Sequence, residues 1–134
     1  MSTTQQLLDD KSFLAFPLHD AKFGSLTTIP AAAGGFDIHL KAELHEQESF
    51  GAPVKFHPVT LVLESVRASQ YKVFEVYNYP EVIADWEIVQ KSPVIEELKQ
   101  KNCFGVNSLV HYRFILSGGS QLDIAAQKVF LIEN

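Results

Sequence analysis

Apolar and polar residues alternate without a break from Phe36 to His45: Phe36, Ile38, Leu40, Ala42 and Leu44 at even positions, Asp37, His39, Lys41, Glu43 and His45 at odd ones. A period of two puts successive side chains on opposite faces, so this segment reads as a strand with one face in a core and the other in water. Two later segments, 59–66 and 71–77, also read as strands. Their Leu61-Val62-Leu63 and Val73-Phe74 place apolar groups on both faces, the mark of central strands covered on each side. A strand over 21–29, with Phe23, Leu26 and Ile29 apolar, comes first, and Ala31-Ala32-Ala33-Gly34-Gly35 follows it as a loose connection. Residues 46–56, with charges, Gly51 and Pro53, form a surface loop.

Helical spacing enters further on. Asn78 can cap a helix opening at Pro80, where a missing amide costs nothing, and Val82, Ile83, Trp86 and Val89 fall on one stripe. Ser92-Pro93 repeats that start signal and predicts a second short helix over 93–101, ending near 102–105. Together the two would lay Trp86 and Leu98 on the sheet and cover one side of it. Near the N-terminus, residues 4–14 have the spacing of a short helix that buries Leu7, Leu8 and Phe13, stopped by Phe16-Pro17.

The C-terminal part reads as a hairpin around Ser117-Gly118-Gly119-Ser120. A two-residue loop would set Phe114 opposite Asp123 and mix core with solvent faces. A three-residue loop, 118–120, pairs Leu116 with Leu122, Phe114 with Ile124 and Tyr112 with Ala126, giving one apolar face. Beyond Ala126 the apolar positions change parity to Val129 and Leu131, which predicts a bulge near 126–128. The expected fold class is therefore α+β in a single domain, 1–134. It has a mainly antiparallel sheet of about six strands, a meander plus the C-terminal hairpin, with one or two helices within 80–101 on one face and a short N-terminal helix.

Composition narrows the function classes. The chain has 134 residues, 46% of them hydrophobic, enough for a packed core without a metal or disulfide staple. Eleven Lys and Arg stand against 16 Asp and Glu, a net charge of −5, so the basic stripe that nucleic-acid binding needs is missing and a basic partner is favoured. The lone Cys103 excludes an internal disulfide and points to a reducing compartment. With no apolar run near the roughly 20 residues of a membrane span, the expected location is the cytoplasm, without membrane association.

Candidate chemistry is sparse. His39, Glu43 and His45 share one strand face, but the ends of that set lie about 20 Å apart at the rise of a strand, too far for one ion, so no metal is expected. His19-Asp20 could orient an imidazole, although Asp at the mouth of a strand more often bonds its own backbone. His111 with Arg113 is the other candidate for a histidine reaching a cleft. Cys103 sits at an expected helix end beside Phe104 and Val106, where a thiol is inert. Ser117 and Ser120 lack the Gly-x-Ser-x-Gly elbow, and no glycine pair belongs to a phosphate loop. No cofactor and no catalytic residue is therefore assigned. Most aromatic residues, Phe104, Tyr112 and Phe114 among them, read as core. Tyr77 and Tyr79 stand apart: they lie at a strand junction with Glu81 and Asp85 close by, as an acidic interface for a basic protein would.

The opening Leu18-His19-Asp20-Ala21 and the ending Tyr112-Arg113-Phe114 … Leu122-Asp123-Ile124-Ala125-Ala126 resemble those of small bacterial α+β domains that include immunity proteins of toxin systems. The resemblance covers the two ends. It carries no catalytic residues and implies a binding role, in its sharpest form the neutralisation of a cognate basic effector; the surface expected to do this, read from the residues themselves, is Tyr77, Tyr79, Glu81 and Asp85. The alternatives are a homo-oligomeric scaffold and, ranked last, a small histidine-dependent enzyme.

Overall fold

The structure, a computed structural model, describes residues 4–31, 35–47, 49–73 and 82–133. Its elements in chain order are β1 (Thr4–Leu8), α1 (Asp10–Ala15), β2 (Lys22–Pro30), β3 (Phe36–Glu46), β4 (Lys55–Val66), β5 (Ala68–Lys72), β6 (Ile83–Ile88), α2 (Pro93–Gln100), β7 (Val110–Leu116), β8 (Gln121–Ala126) and β9 (Lys128–Glu133). All strand pairs are antiparallel, in a five-stranded sheet ordered β1-β9-β4-β3-β2 and a four-stranded sheet ordered β5-β8-β7-β6.

Two bent strands join the sheets. β4 runs into β5 through Arg67, and β8 into β9 through Gln127, so the pair stays hydrogen-bonded across both sheets. At the bend Arg67 N–H donates to the Ala125 carbonyl (3.0 Å) and Gln127 N–H to the Glu64 carbonyl (2.9 Å), which satisfies the backbone where the ladder slips by one residue. The change of parity after Ala126 is this bend. At the other edge Lys22 bridges Val82, while Asp20 N–H reaches the Ile83 carbonyl at 2.9 Å and Ile83 N–H the Ala21 carbonyl at 2.8 Å. These contacts link β2 to β6 and wrap the two sheets round one core.

The core follows the alternation. Ile38, Leu40, Ala42 and Leu44 of β3 are buried against Leu61 and Leu63 of β4, with Phe114, Leu116, Leu122 and Ile124 closing from the smaller sheet. α1 adds Phe13, whose ring meets Tyr112 edge-on at 5.0 Å and Phe114 at 5.8 Å. Asp9 caps this helix by accepting the Ser12 N–H, and Trp86 Nε1–H donates to the Phe13 carbonyl at 3.0 Å, tying the helix to β6. Burial, with a smaller contribution from the charge of Asp10, pushes the Tyr112 phenol up to about 12, so it packs as a neutral group.

Four expectations are corrected. Residues 83–88 form β6, not a helix, because β7 needs a partner on its outer edge and Ile83, Trp86 and Ile88 supply inward side chains at alternating register. The expected helical region 80–101 thus keeps only α2, which matches the second of the two expected helices. The strands number nine among the described residues, in two sheets rather than one sheet of about six. In the C-terminal hairpin the loop has three residues, but they are 117–119: Leu116 N–H bonds the Ser120 carbonyl, and Phe114 pairs with Leu122 and Tyr112 with Ile124. Gly119, at φ +91°, supplies the left-handed turn position that a side chain would strain. At the N-terminus 4–8 is a strand on β9, with Leu8 and Phe13 buried but Leu7 exposed.

Candidate functional site

The inward set Tyr112, Phe114, Leu122 and Ile124 forces the intervening residues of β7 and β8 outward. His111 and Arg113 therefore share the outer face of the smaller sheet with Gln121 and Asp123. Register places Arg113 between Asp123 of β8 and Glu87 of β6. Arg113 Nε–H donates to Asp123 Oδ1 at 2.8 Å and its Nη1–H to Glu87 Oε1 at 3.2 Å, while Gln121 Nε2–H donates to Asp123 Oδ2 at 2.7 Å.

α2 lies over part of this face. It opens at Ser92, whose hydroxyl oxygen accepts the Ile95 N–H at 3.2 Å as helix cap, with Pro93 in the first turn. The same hydroxyl stands 2.6 Å from His111 Nδ1, and His111 Nε2 stands 2.6 Å from Asp123 Oδ1. An ionised carboxylate only accepts, so Nε2 carries a proton, and in the neutral ring Nδ1 then accepts from the Ser92 hydroxyl. Burial opposes the charge on Asp123 and is the largest single influence. The hydrogen bonds from Gln121, Arg113 and His111, with the charge of Arg113, together outweigh it and hold the carboxyl below its ordinary range. Arg113 is held more firmly protonated, first by its hydrogen bond to Asp123.

Serine, histidine and aspartate in that order resemble a nucleophile with its base and orienting acid. Here the hydroxyl is engaged twice, as acceptor from the helix and donor to the ring, and Ser92 and His111 are only 4% and 2% exposed. The arrangement seats the start of α2 on the sheet while leaving each buried polar group bonded. Two hollows flank it and His111 lines both: one of about 230 Å³ toward β6, and one of about 380 Å³ between α2 and β5.

Of the sequence-predicted interface, Asp85 is exposed on β6, its Oδ1 accepting the Trp86 N–H at 2.9 Å. Tyr77, Tyr79 and Glu81 lie outside the described residues. His19 and Asp20 do pair, at 3.2 Å, but with the histidine side chain 70% exposed, in a turn closed by Ala21 N–H to the Leu18 carbonyl. Cys103 is half-buried and free, its thiol 3.7 Å from the Phe104 carbonyl oxygen. Among the described residues no group of three or more His, Cys, Asp or Glu could hold a metal, and no helix is long and apolar enough to cross a membrane.

Sequence reasoning missed Ser92 and Asp123, and it missed Phe50, which stands fully exposed at 105% on the loop between β3 and β4. Phe104, expected in the core, is 87% exposed. The opposite charges of Arg113 and Asp123 on the two arms of one hairpin were the available signal for the network. No family model, curated protein or solved structure matches this chain.

Proposed function

We propose that this is a binding protein whose partner is a basic protein, a role like that of the immunity proteins its ends resemble. The observation that carries the reading is Phe50. Ala52 N–H bonds the Ser49 carbonyl at 3.0 Å and Gln47 Nε2–H the Ala52 carbonyl at 2.8 Å, and between these bonds Phe50 presents a fully exposed aromatic ring. Val54 and Phe56 beside it are also exposed, and Lys22 Nζ lies 3.8 Å from the Phe56 ring centroid. An exposed aromatic with apolar neighbours and a polar rim has the make-up of an interface anchor. The net charge of −5 and the exposed Asp85, in sequence next to Glu81, Tyr79 and Tyr77, favour a basic partner.

Affinity capture from the source cells at about 0.1 M and about 1 M salt tests this, since the screening length falls from roughly 10 Å to roughly 3 Å between them. The expected result is one stoichiometric basic protein, held at low salt and lost from the Phe50→Ser and Asp85→Lys variants. Capture unchanged in both variants, or of nothing at all, would overturn the reading.

A second reading, self-association, is favoured by the outer face of the larger sheet. There Leu7 of β1, Phe130 of β9 and Val62 of β4 stand in one row, with Ile132 in the next. Light scattering separates the two: a monomer excludes the oligomer.

A further inference from the structure

The hollow of about 380 Å³ between α2 and β5 has a distinct chemistry. Its floor is Asp123, whose side chain is only 10% exposed, and its mouth carries Glu97 of α2 and Gln70 of β5. Val94 on one wall and Ala68 and Ala125 on the other are apolar, and no lysine or arginine lines it among the described residues. Each carboxylate oxygen can accept about two hydrogen bonds. Asp123 Oδ1 accepts from His111 and Arg113, whereas Oδ2 accepts from Gln121, which leaves an acceptor position there. Arg113 approaches Asp123 from the β6 side and is balanced by Glu87. Glu97 is paired with Lys101 at 3.1 Å, but both groups are well exposed, and such pairs exchange partners at little cost.

We infer that this cleft binds a guanidinium or alkylammonium group, its charged head on Asp123 at the floor and its alkyl stem between Val94 and Ala125, leading out past Glu97 at the mouth. The fit is of shape as well as charge: an apolar slot leads to a buried acceptor held ionised by its neighbours. The source of the cation is either a free small amine or a basic side chain of a protein. The site is independent of Phe50, so it stands or falls apart from the partner reading.

The test titrates the full chain with agmatine, with butylurea, which has the same four-carbon stem and no charge, and with a capped Gly-Arg-Gly peptide, followed by amide chemical shifts. Agmatine or the peptide should shift amides of Gln70, Val94, Glu97 and Ala125, and butylurea should not. Glu97→Gln should weaken binding roughly three- to ten-fold, and Gln70→Arg, which delivers a guanidinium from the protein itself, should abolish it. Both substitutions are at exposed positions and spare the buried network. Binding of agmatine assigns a free cation, and binding of the peptide alone assigns a protein side chain. Shifts from neither, equal shifts from butylurea, or unchanged binding in both variants would overturn the proposal.

Discussion

The two sheets present the same kind of inner face and opposite kinds of outer face. The smaller sheet carries Glu87, Arg113, Asp123 and His111 joined by hydrogen bonds across β6, β7 and β8, with His111 beneath the start of α2. On the larger sheet, Lys41 and Glu43 point into solvent, and His39 stands half-exposed in the row of Val62 and Phe130. No α2 side chain is fully buried and Val94, Ile95 and Leu98 are half-buried, so apolar packing seats the helix only in part. Its seat is the cap at Ser92, bonded down to the histidine. A helix over a polar sheet face requires every polar atom it covers to find a partner, while an uncovered face leaves that task to water.

The sharpest test removes the centre of the covered network. Asp123→Ala leaves Arg113 and His111 without their shared acceptor and is expected to cost about 3–5 kcal/mol, the range for breaking a buried charged pair from one side. Glu43→Ala on the uncovered face should stay within about 0.5 kcal/mol. Urea unfolding of both variants measures the contrast, and equal losses would remove it. Acid acts in the same direction. The folded carboxyl titrates below the unfolded one, so its contribution is present above roughly pH 4 and is lost as pH falls through the lower, folded value. Asp123→Asn should flatten that part of the acid unfolding curve.

Much of the inner architecture could be read from the chain, because alternation is a local property. β3 lies where its ten-residue period places it, and its even positions are the buried ones. The covered network could not be read in the same way. The apolar faces of the C-terminal hairpin are unchanged when the register slips by two residues, so a loop at 118–120 and one at 117–119 satisfy the core equally. Only the second sets Arg113 opposite Asp123; the first sets it opposite Ala125. β6 failed for a related reason: Val82, Ile83, Trp86 and Val89 fit a helical stripe, and the open edge of β7 decided for a strand. That edge is a property of the fold and is invisible in the segment itself.

A smaller effect separates the two roles of Ser92. Ser92→Ala removes both the cap and the donor to His111 and should cost about 1–2 kcal/mol. Ser92→Gly is nearly as good a cap but supplies no hydroxyl, so a cap alone would show a loss of only a few tenths of a kcal/mol. A loss in the glycine variant close to that of alanine would assign most of the effect to the bond with His111. Thermal unfolding, with circular dichroism confirming that α2 persists, distinguishes the two outcomes.

The smallest effect compares one residue type on the two faces. His39 and His111 are both strand histidines pointing away from the core, but His39 stands half-exposed beside Val62 and His111 lies under a helix between two partners. His39→Leu should change stability by less than about 0.5 kcal/mol in either direction, because water already satisfies the ring and the new side chain extends an apolar row. His111→Leu, nearly isosteric, should be far more damaging, since it strands the Ser92 hydroxyl and one acceptor position of Asp123. His39→Leu also bears on self-association. It lengthens the row Leu7-Phe130-Val62, so if that row is a contact between copies, light scattering should detect dimers at lower concentration than in the wild type. An unaltered monomer in both proteins would leave the larger sheet as a solvated face and the smaller one as the place where burial of polar groups sets the structure.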